Sequence, residues 1–235
     1  MKKNLAVLCV LGCLTAPVFA ANNIDPANFS VQSEFKIFSE DLGAALSYKA
    51  VTPPTPLGIT GFDIGLEITS TKMRNLGTAT GGSMNNLPLP KLHVYKGLPM
   101  NFDIGAVYSA VPNSNIKYFG GELRYAIMEG GMALPAVGVR GAITKLTGVD
   151  KLSLSTKSLD ISVSKGFLMF SPYAGAGVVW TDSTPNGIAG LAKESFQQTK
   201  VFIGGNLNLG LTNLAFEADK TGSANSVSAK VGFRF

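Results

Sequence analysis

Apolar and polar residues alternate along most of the chain after residue 57, with the period of two that strands with one apolar and one polar face require. In residues 62–69, FDIGLEIT, four apolar side chains fall on one face, and Asp63 and Glu67 fall on the other. The alternation predicts ten strands, at about residues 58–73, 90–97, 100–111, 116–128, 134–147, 152–166, 170–183, 195–209, 212–220 and 225–235. No run of 18 apolar residues follows residue 20, so no membrane-spanning helix is predicted.

The alternation alone does not say whether the apolar faces meet water, lipid or a second sheet. Three further features favour a closed transmembrane antiparallel up-and-down β-barrel over a soluble periplasmic β-sandwich, which remains the alternative. Glycines lie within many strands, where they suit a bent, closed sheet. Aromatic residues recur toward strand ends, as in membrane-interface girdles, at Tyr95, Tyr118, Tyr173 and Trp180. The long connections 75–90 and 182–195 fall at the same end of the predicted barrel, and short turns fall at the other.

The first twenty residues have the properties of a secretory signal peptide. Lys2 and Lys3 precede a short apolar run, and small residues precede a predicted cleavage after Ala20. Residues 10–13, VLGC, loosely resemble a lipoprotein signal, which is the less favoured alternative. Removing residues 1–20 lowers the net charge from +5 to +3 and removes both cysteines. We therefore expect an exported chain without disulfides and without the charge that nucleic-acid binding requires.

The chain between the signal peptide and the first strand, residues 21–57, predicts a short amphipathic helix. Its apolar residues have helical spacing, at Phe35, Phe38, Leu42 and Leu46. Ser39 is a candidate cap, and a proline-rich stretch from Pro53 to Pro56 predicts a stiff connection to the barrel, residues 58–235. Three arrangements remain open: a plug within the barrel, a helix across its periplasmic mouth, or two further strands that would make twelve.

The last residues resemble the carboxy-terminal strand of Gram-negative outer-membrane β-barrel proteins. Apolar residues occupy every second position to the final phenylalanine, at Val227, Ala229, Val231, Phe233 and Phe235. The resemblance implies location in the cell outer membrane, contact with its lipid, pairing of the last strand with the first, and recognition by the barrel-assembly machinery through Val231, Phe233 and Phe235. Residues 40–69 also resemble the entry segment of hydrophobic-compound channels of the fatty-acid-transporter type, which implies transport of such compounds.

The polar faces of the predicted strands carry charges that would line the lumen. The candidate lumen-lining residues are Asp63, Glu67, Asp103, Glu122, Arg124, Arg140, Asp160, Glu217, Asp219, Lys230 and Arg234. If the last strand pairs with the first, Lys230 and Arg234 would face Asp63 and Glu67. Arg124 and Arg140 would then meet Glu122 and Asp160. Such pairs would either fill a narrow, non-conducting barrel or line a small pore.

No recognised catalytic, metal-binding or cofactor-binding motif accompanies these charges. His93, the only histidine, has no serine or carboxylate motif beside it, and a structural or lumen-lining role is favoured. The chain lacks G-x-S-x-G and any His/Cys cluster, so no cofactor, no metal and no enzyme activity are expected. Three functions remain: a small channel or transporter for small or hydrophobic solutes, a non-conducting structural or surface-adhesion barrel, and a membrane-embedded enzyme, which is the least favoured.

Overall fold

The computed structural model describes residues 23–131 and 133–235, which form a closed barrel of ten antiparallel strands. The predicted signal peptide and its cleavage site lie outside these residues. The strands are β1 (Phe62–Lys72), β2 (Asn86–Gly97), β3 (Phe102–Ala110), β4 (Lys117–Glu129), β5 (Ala136–Thr147), β6 (Leu152–Ser164), β7 (Phe170–Pro185), β8 (Glu194–Leu209), β9 (Thr212–Thr221) and β10 (Ala224–Arg234). Each strand pairs with the next in the chain, and β1 pairs with β10. The prediction of ten strands is confirmed, whereas the sandwich and the twelve-stranded barrel are wrong.

The two ends of the barrel differ in the length of their connections. At one end, which we call the loop end, lie the connections 73–85, 111–116, 148–151, 186–193 and 222–223. At the other, the terminal end, the chain enters β1 and finishes at Phe235, beside shorter turns. The sheet closes there through two backbone hydrogen bonds between Phe62 and Phe235, of 2.8 and 3.1 Å.

A helix lies inside the barrel. This helix, α1 (Gln32–Leu46), contacts β1, β5, β6, β7, β8 and β10, which lie on opposite sides of the lumen. The Ile24 amide donates to Asn115 Oδ1 at the loop end (2.9 Å), and the Leu57 amide donates to Asp103 Oδ1 toward the terminal end (3.0 Å). Residues 24–57, which we call the inner segment, therefore run through the barrel from one end to the other.

Two local features of α1 depend on its place in the lumen. A Cβ atom on Gly43 would lie 2.6 Å from Thr181 Oγ1, so glycine allows the helix to approach the wall at this point. The predicted cap at Ser39 is wrong, because the helix begins seven residues earlier, at Gln32. Ser39 instead points at the wall, and its hydroxyl oxygen lies 2.9 Å from Ser183 Oγ. No described helix is both long and apolar enough to cross a membrane.

The interior near the loop end is a hydrophobic core. The apolar side of α1, at Phe35, Phe38 and Leu42, is fully buried. The wall contributes leucines, and the short helix α2 (Leu76–Thr80) adds Leu76 and Ala79 from the first long connection. Burying each large apolar side chain contributes about 1.5–3 kcal/mol relative to its exposure to water. The contacts of α1 at this end are therefore mainly apolar.

The outer wall is apolar in its middle and toward the terminal end. Exposed side chains include Leu66, Ile143, Leu159, Ile203, Phe216 and Phe233. The expectation that Tyr95, Tyr118 and Tyr173 form interface girdles is wrong, because all three point inward and are 1 to 3 % exposed. Trp180 does face outward. We assigned these tyrosines to girdles because they lie near strand ends. Whether a side chain points inward or outward depends instead on its even or odd position along the strand.

Candidate functional site

The charged residues predicted from the polar faces lie inside the barrel. Ten of them are at most 6 % exposed, and Arg234 has a side chain that is 16 % exposed. These charges form clusters around the part of the inner segment that follows α1, between the apolar core and the terminal end. The clusters define the candidate site.

One cluster joins the first strand to its neighbours at the barrel seam. Asp63 forms ion pairs with Arg234 (2.5 Å) and Lys230 (3.3 Å), as predicted from pairing of the last strand with the first. Glu67 lies opposite Lys230 in register, yet its close partners come from β2: Lys91 Nζ at 2.6 Å and His93 Nε2 at 2.7 Å. Both β2 residues were missed as partners, since Pro88 and Pro90 interrupt the alternation that would show which side chains point inward.

Two arginine–aspartate pairs span neighbouring strands. Arg140 binds Asp160 at 2.6 Å, and its Nε lies 3.7 Å from Glu122. Arg124 was expected to meet Glu122 or Asp160, but it binds Asp103 at 2.7 Å. Arg124 and Asp103 are opposite each other in register, which places their side chains closest on the inner face. The sequence pattern marks the side of the sheet but does not fix which neighbouring strand supplies the partner.

Several charged wall residues bind the inner segment directly. Lys49 of the inner segment forms a 2.8 Å ion pair with Asp219 of β9, and both side chains are at most 1 % exposed. Backbone oxygens of the segment also accept hydrogen bonds from wall side chains. Lys200 donates to the oxygen of Tyr48 (2.9 Å), Tyr95 to that of Ala50 (3.1 Å) and Arg124 to that of Pro53 (3.0 Å). The inner segment is therefore hydrogen-bonded to strands on different sides of the lumen.

The buried charges of the candidate site balance. The wall supplies one carboxylate more than its cationic side chains, counting His93 as neutral. The carboxylates are Asp63, Glu67, Asp103, Glu122, Asp160, Glu217 and Asp219, and the cations are Lys91, Arg124, Arg140, Lys200, Lys230 and Arg234. Lys49 supplies the missing positive charge. Lys49 and Lys200 were not predicted, because neither fell within the alternating stretches used to assign the inner face.

At the loop end, two ion pairs connect the inner segment to the loops. Arg74 binds Asp41 of α1 at 2.8 Å, and this hydrogen bond raises the pKa of the guanidinium group. Lys151 binds Asp25 at 2.8 Å, and its hydrogen bond holds the pKa of that carboxyl below its usual value. Because both Asp25 and Lys151 are substantially exposed, this second pair contributes little to stability.

His93 belongs to the wall of the candidate site. It is fully buried, with Glu67 at one ring nitrogen and the Tyr95 hydroxyl 2.9 Å from the other. In the described part of the chain, no group of three or more His, Cys, Asp or Glu residues has the arrangement of a metal site. His93 therefore positions the side chains of Glu67 and Tyr95 in the wall.

We compared the chain with protein families, curated sequences and solved structures, and only solved structures of barrel proteins are similar to it. No protein-family model and no curated protein sequence matches the chain. The N-terminal β-barrel domain of Pseudomonas aeruginosa OprF is 12% identical over 74% of this chain and 97% of that chain, with a TM-score of 0.38. The KdgM porin is 8% identical over 75% and 99% of the two chains, with a TM-score of 0.37. Ail of Yersinia pestis is 11% identical over 74% and 98%, with a TM-score of 0.32. The closed ten-stranded barrel, with its apolar outer wall, gives this chain the architecture of an outer-membrane β-barrel protein.

Proposed function

We propose that this protein is a plugged outer-membrane channel or transporter for small solutes, and that the inner segment is its plug. The observation that carries the proposal is the passage of residues 24–57 through a lumen whose wall is charged. In the closed state the segment occupies the path a solute would take. Its displacement would expose a hydrophilic wall, which favours small polar solutes over the hydrophobic compounds suggested by the resemblance.

The width of the lumen supports this proposal. An α-helix with its side chains is about 10–12 Å across. The barrel holds α1 within its wall near the loop end, so displacement of the helix would leave an opening about as wide as the helix at that level. Ten strands with inward arginines predict a narrow lumen, which argues against a channel. This argument is weaker here, because those arginines form ion pairs with neighbouring strands.

The bonds at the terminal end also suit a plug that moves. The segment is held there by one ion pair and by hydrogen bonds from side chains that already have partners within the wall, such as Arg124 with Asp103. When the segment leaves, water can replace its carbonyl oxygens, while most wall ion pairs stay intact.

The experiment compares single-channel conductance of the refolded mature chain with a variant lacking residues 21–57. We expect rare or no openings in the mature chain and steady openings in the variant, because only the first retains the plug. Heat-modifiable gel mobility checks that each barrel is folded. A folded variant that remains silent would contradict the channel proposal.

A non-conducting structural or adhesive barrel is the second candidate. The observation in its favour is the apolar core at the loop end, where Phe35, Phe38 and Leu42 of α1 are fully buried. Such a core would make displacement of the helix costly. We propose no enzyme activity and no cofactor for either candidate.

Lipid and the barrel-assembly machinery are the partners proposed for both candidates. Val231, Phe233 and Phe235 are exposed on the outer wall, where a membrane or an assembly factor could reach them. The export route is proposed from the signal peptide alone.

A further inference from the structure

Three lysines stand together on the outside of the barrel near the loop end. Lys117, Lys145 and Lys157 lie on the neighbouring strands β4, β5 and β6, and all three are exposed. The pairing register places Phe119 opposite Lys145 and Ile143 opposite Lys157, so each lysine is offset by two residues from the lysine on the adjacent strand. We call these residues the lysine patch.

The lysine patch begins where the apolar outer wall ends. Moving along β5 toward the loop end, the last exposed apolar side chain is Ile143, and Lys145 is the next outward residue. On β6, Lys157 is the outward residue beyond Leu159. Trp180 on β7 faces outward directly opposite Lys157. Tryptophan and lysine at the edge of an apolar band are typical of the membrane–water interface.

The protein neutralises the positive charge of the patch only in part. No carboxylate within residues 23–131 and 133–235 forms an ion pair with Lys117, Lys145 or Lys157. Asp182, the next outward residue after Trp180 on β7, is bound by Lys193 at 3.0 Å and by the Ser195 hydroxyl at 2.6 Å. Lys157 is attracted to the same carboxylate without forming an ion pair, so the three lysines together keep an excess of positive charge.

We propose that the lysine patch binds the phosphate-bearing headgroups of anionic lipids in the leaflet at the loop end. The patch lies at the depth where the apolar wall gives way to headgroups, and a lysine near an anionic membrane surface strengthens attraction about fivefold. The outer wall below the patch holds the acyl chains, and the ammonium groups meet the phosphates. This inference does not depend on whether the barrel conducts.

Trp180 provides a local reporter, because it is the only tryptophan in the chain. The refolded mature protein is placed in phosphatidylcholine vesicles that contain either brominated phosphatidylglycerol or brominated phosphatidylcholine, and quenching of its fluorescence is compared. We expect phosphatidylglycerol to bind beside Trp180 about two- to fivefold more strongly at low salt. The preference should decline as salt is raised.

The matched variants have the same net charge. Lys117→Gln/Lys145→Gln/Lys157→Gln should abolish the preference. Lys36→Gln/Lys72→Gln/Lys220→Gln, which removes three exposed charges on α1, β1 and β9, should retain it. Lys157→Gln alone should reduce the preference in part, which keeps the test available if the triple variant does not fold. Equal quenching by the two lipids in the unsubstituted protein, or an unchanged preference in the folded patch variant, would overturn the proposal.

Discussion

Replacing Lys49 with methionine is expected to weaken the attachment of the inner segment by about 3–5 kcal/mol, the usual cost of removing one partner from a buried ion pair. Asp219 would lose its closest cation, and the interior would keep one carboxylate in excess. A cysteine at position 39 reports this change, because Ser39 is fully buried between α1 and β7. Its labelling by a thiol reagent should accelerate at least about 10²-fold, since every 1.4 kcal/mol is a factor of ten.

Two further variants separate charge from side-chain volume at Lys49. Lys49→Arg keeps the cation and should leave the labelling rate close to that of the Ser39→Cys parent. Lys49→Met/Asp219→Asn removes both charges and should recover much of the loss, because no uncompensated ion stays buried. If Lys49→Met labels no faster than its parent, the ion pair does not hold the inner segment in place.

Asp63→Asn should destabilise the barrel itself by a similar amount, about 3–5 kcal/mol. Asp63 is fully buried and accepts from both Lys230 and Arg234, so its neutralisation leaves two cations beside the seam between β1 and β10. The free energy of unfolding is measured by denaturant titration of the protein refolded in lipid vesicles.

Arg234→Gln is the matched control for the seam. Its side chain is 16 % exposed, and Lys230 would still pair with Asp63, so the loss should be well below that of Asp63→Asn. Equal stability of Asp63→Asn and the unsubstituted protein would show that these ion pairs do not support closure of the barrel.

The period of two was sufficient to predict the strands, because a closed barrel presents one face to the lumen and one to the outside. Asp63 and Arg140 could be assigned to the lumen from this alternation alone. Lys91 could not, since the prolines of β2 break the pattern around it, and the inward tyrosines show that position near a strand end does not decide the side.

The inner segment was harder to predict, for a different reason. Helical spacing of Phe35, Phe38 and Leu42 showed an amphipathic helix, but the same spacing suits a helix inside the barrel or across its mouth. What places it inside is contact with distant parts of the chain, such as Ser39 with Ser183 and Lys49 with Asp219. Contacts between residues so far apart leave no periodic trace in the sequence.

The most direct test of the account is a disulfide between α1 and the wall in Ser39→Cys/Ser183→Cys. A chain that begins at residue 21 has no other cysteine, and the two native hydroxyl oxygens lie 2.9 Å apart, which suits a bond between sulfurs in the same positions. The account predicts efficient cross-linking in the folded barrel. Ser39→Cys/Ser171→Cys uses the same strand about 40 Å away and should not cross-link. Absence of the first disulfide in a folded barrel, or efficient formation of the second, would contradict a helix that lies inside the lumen.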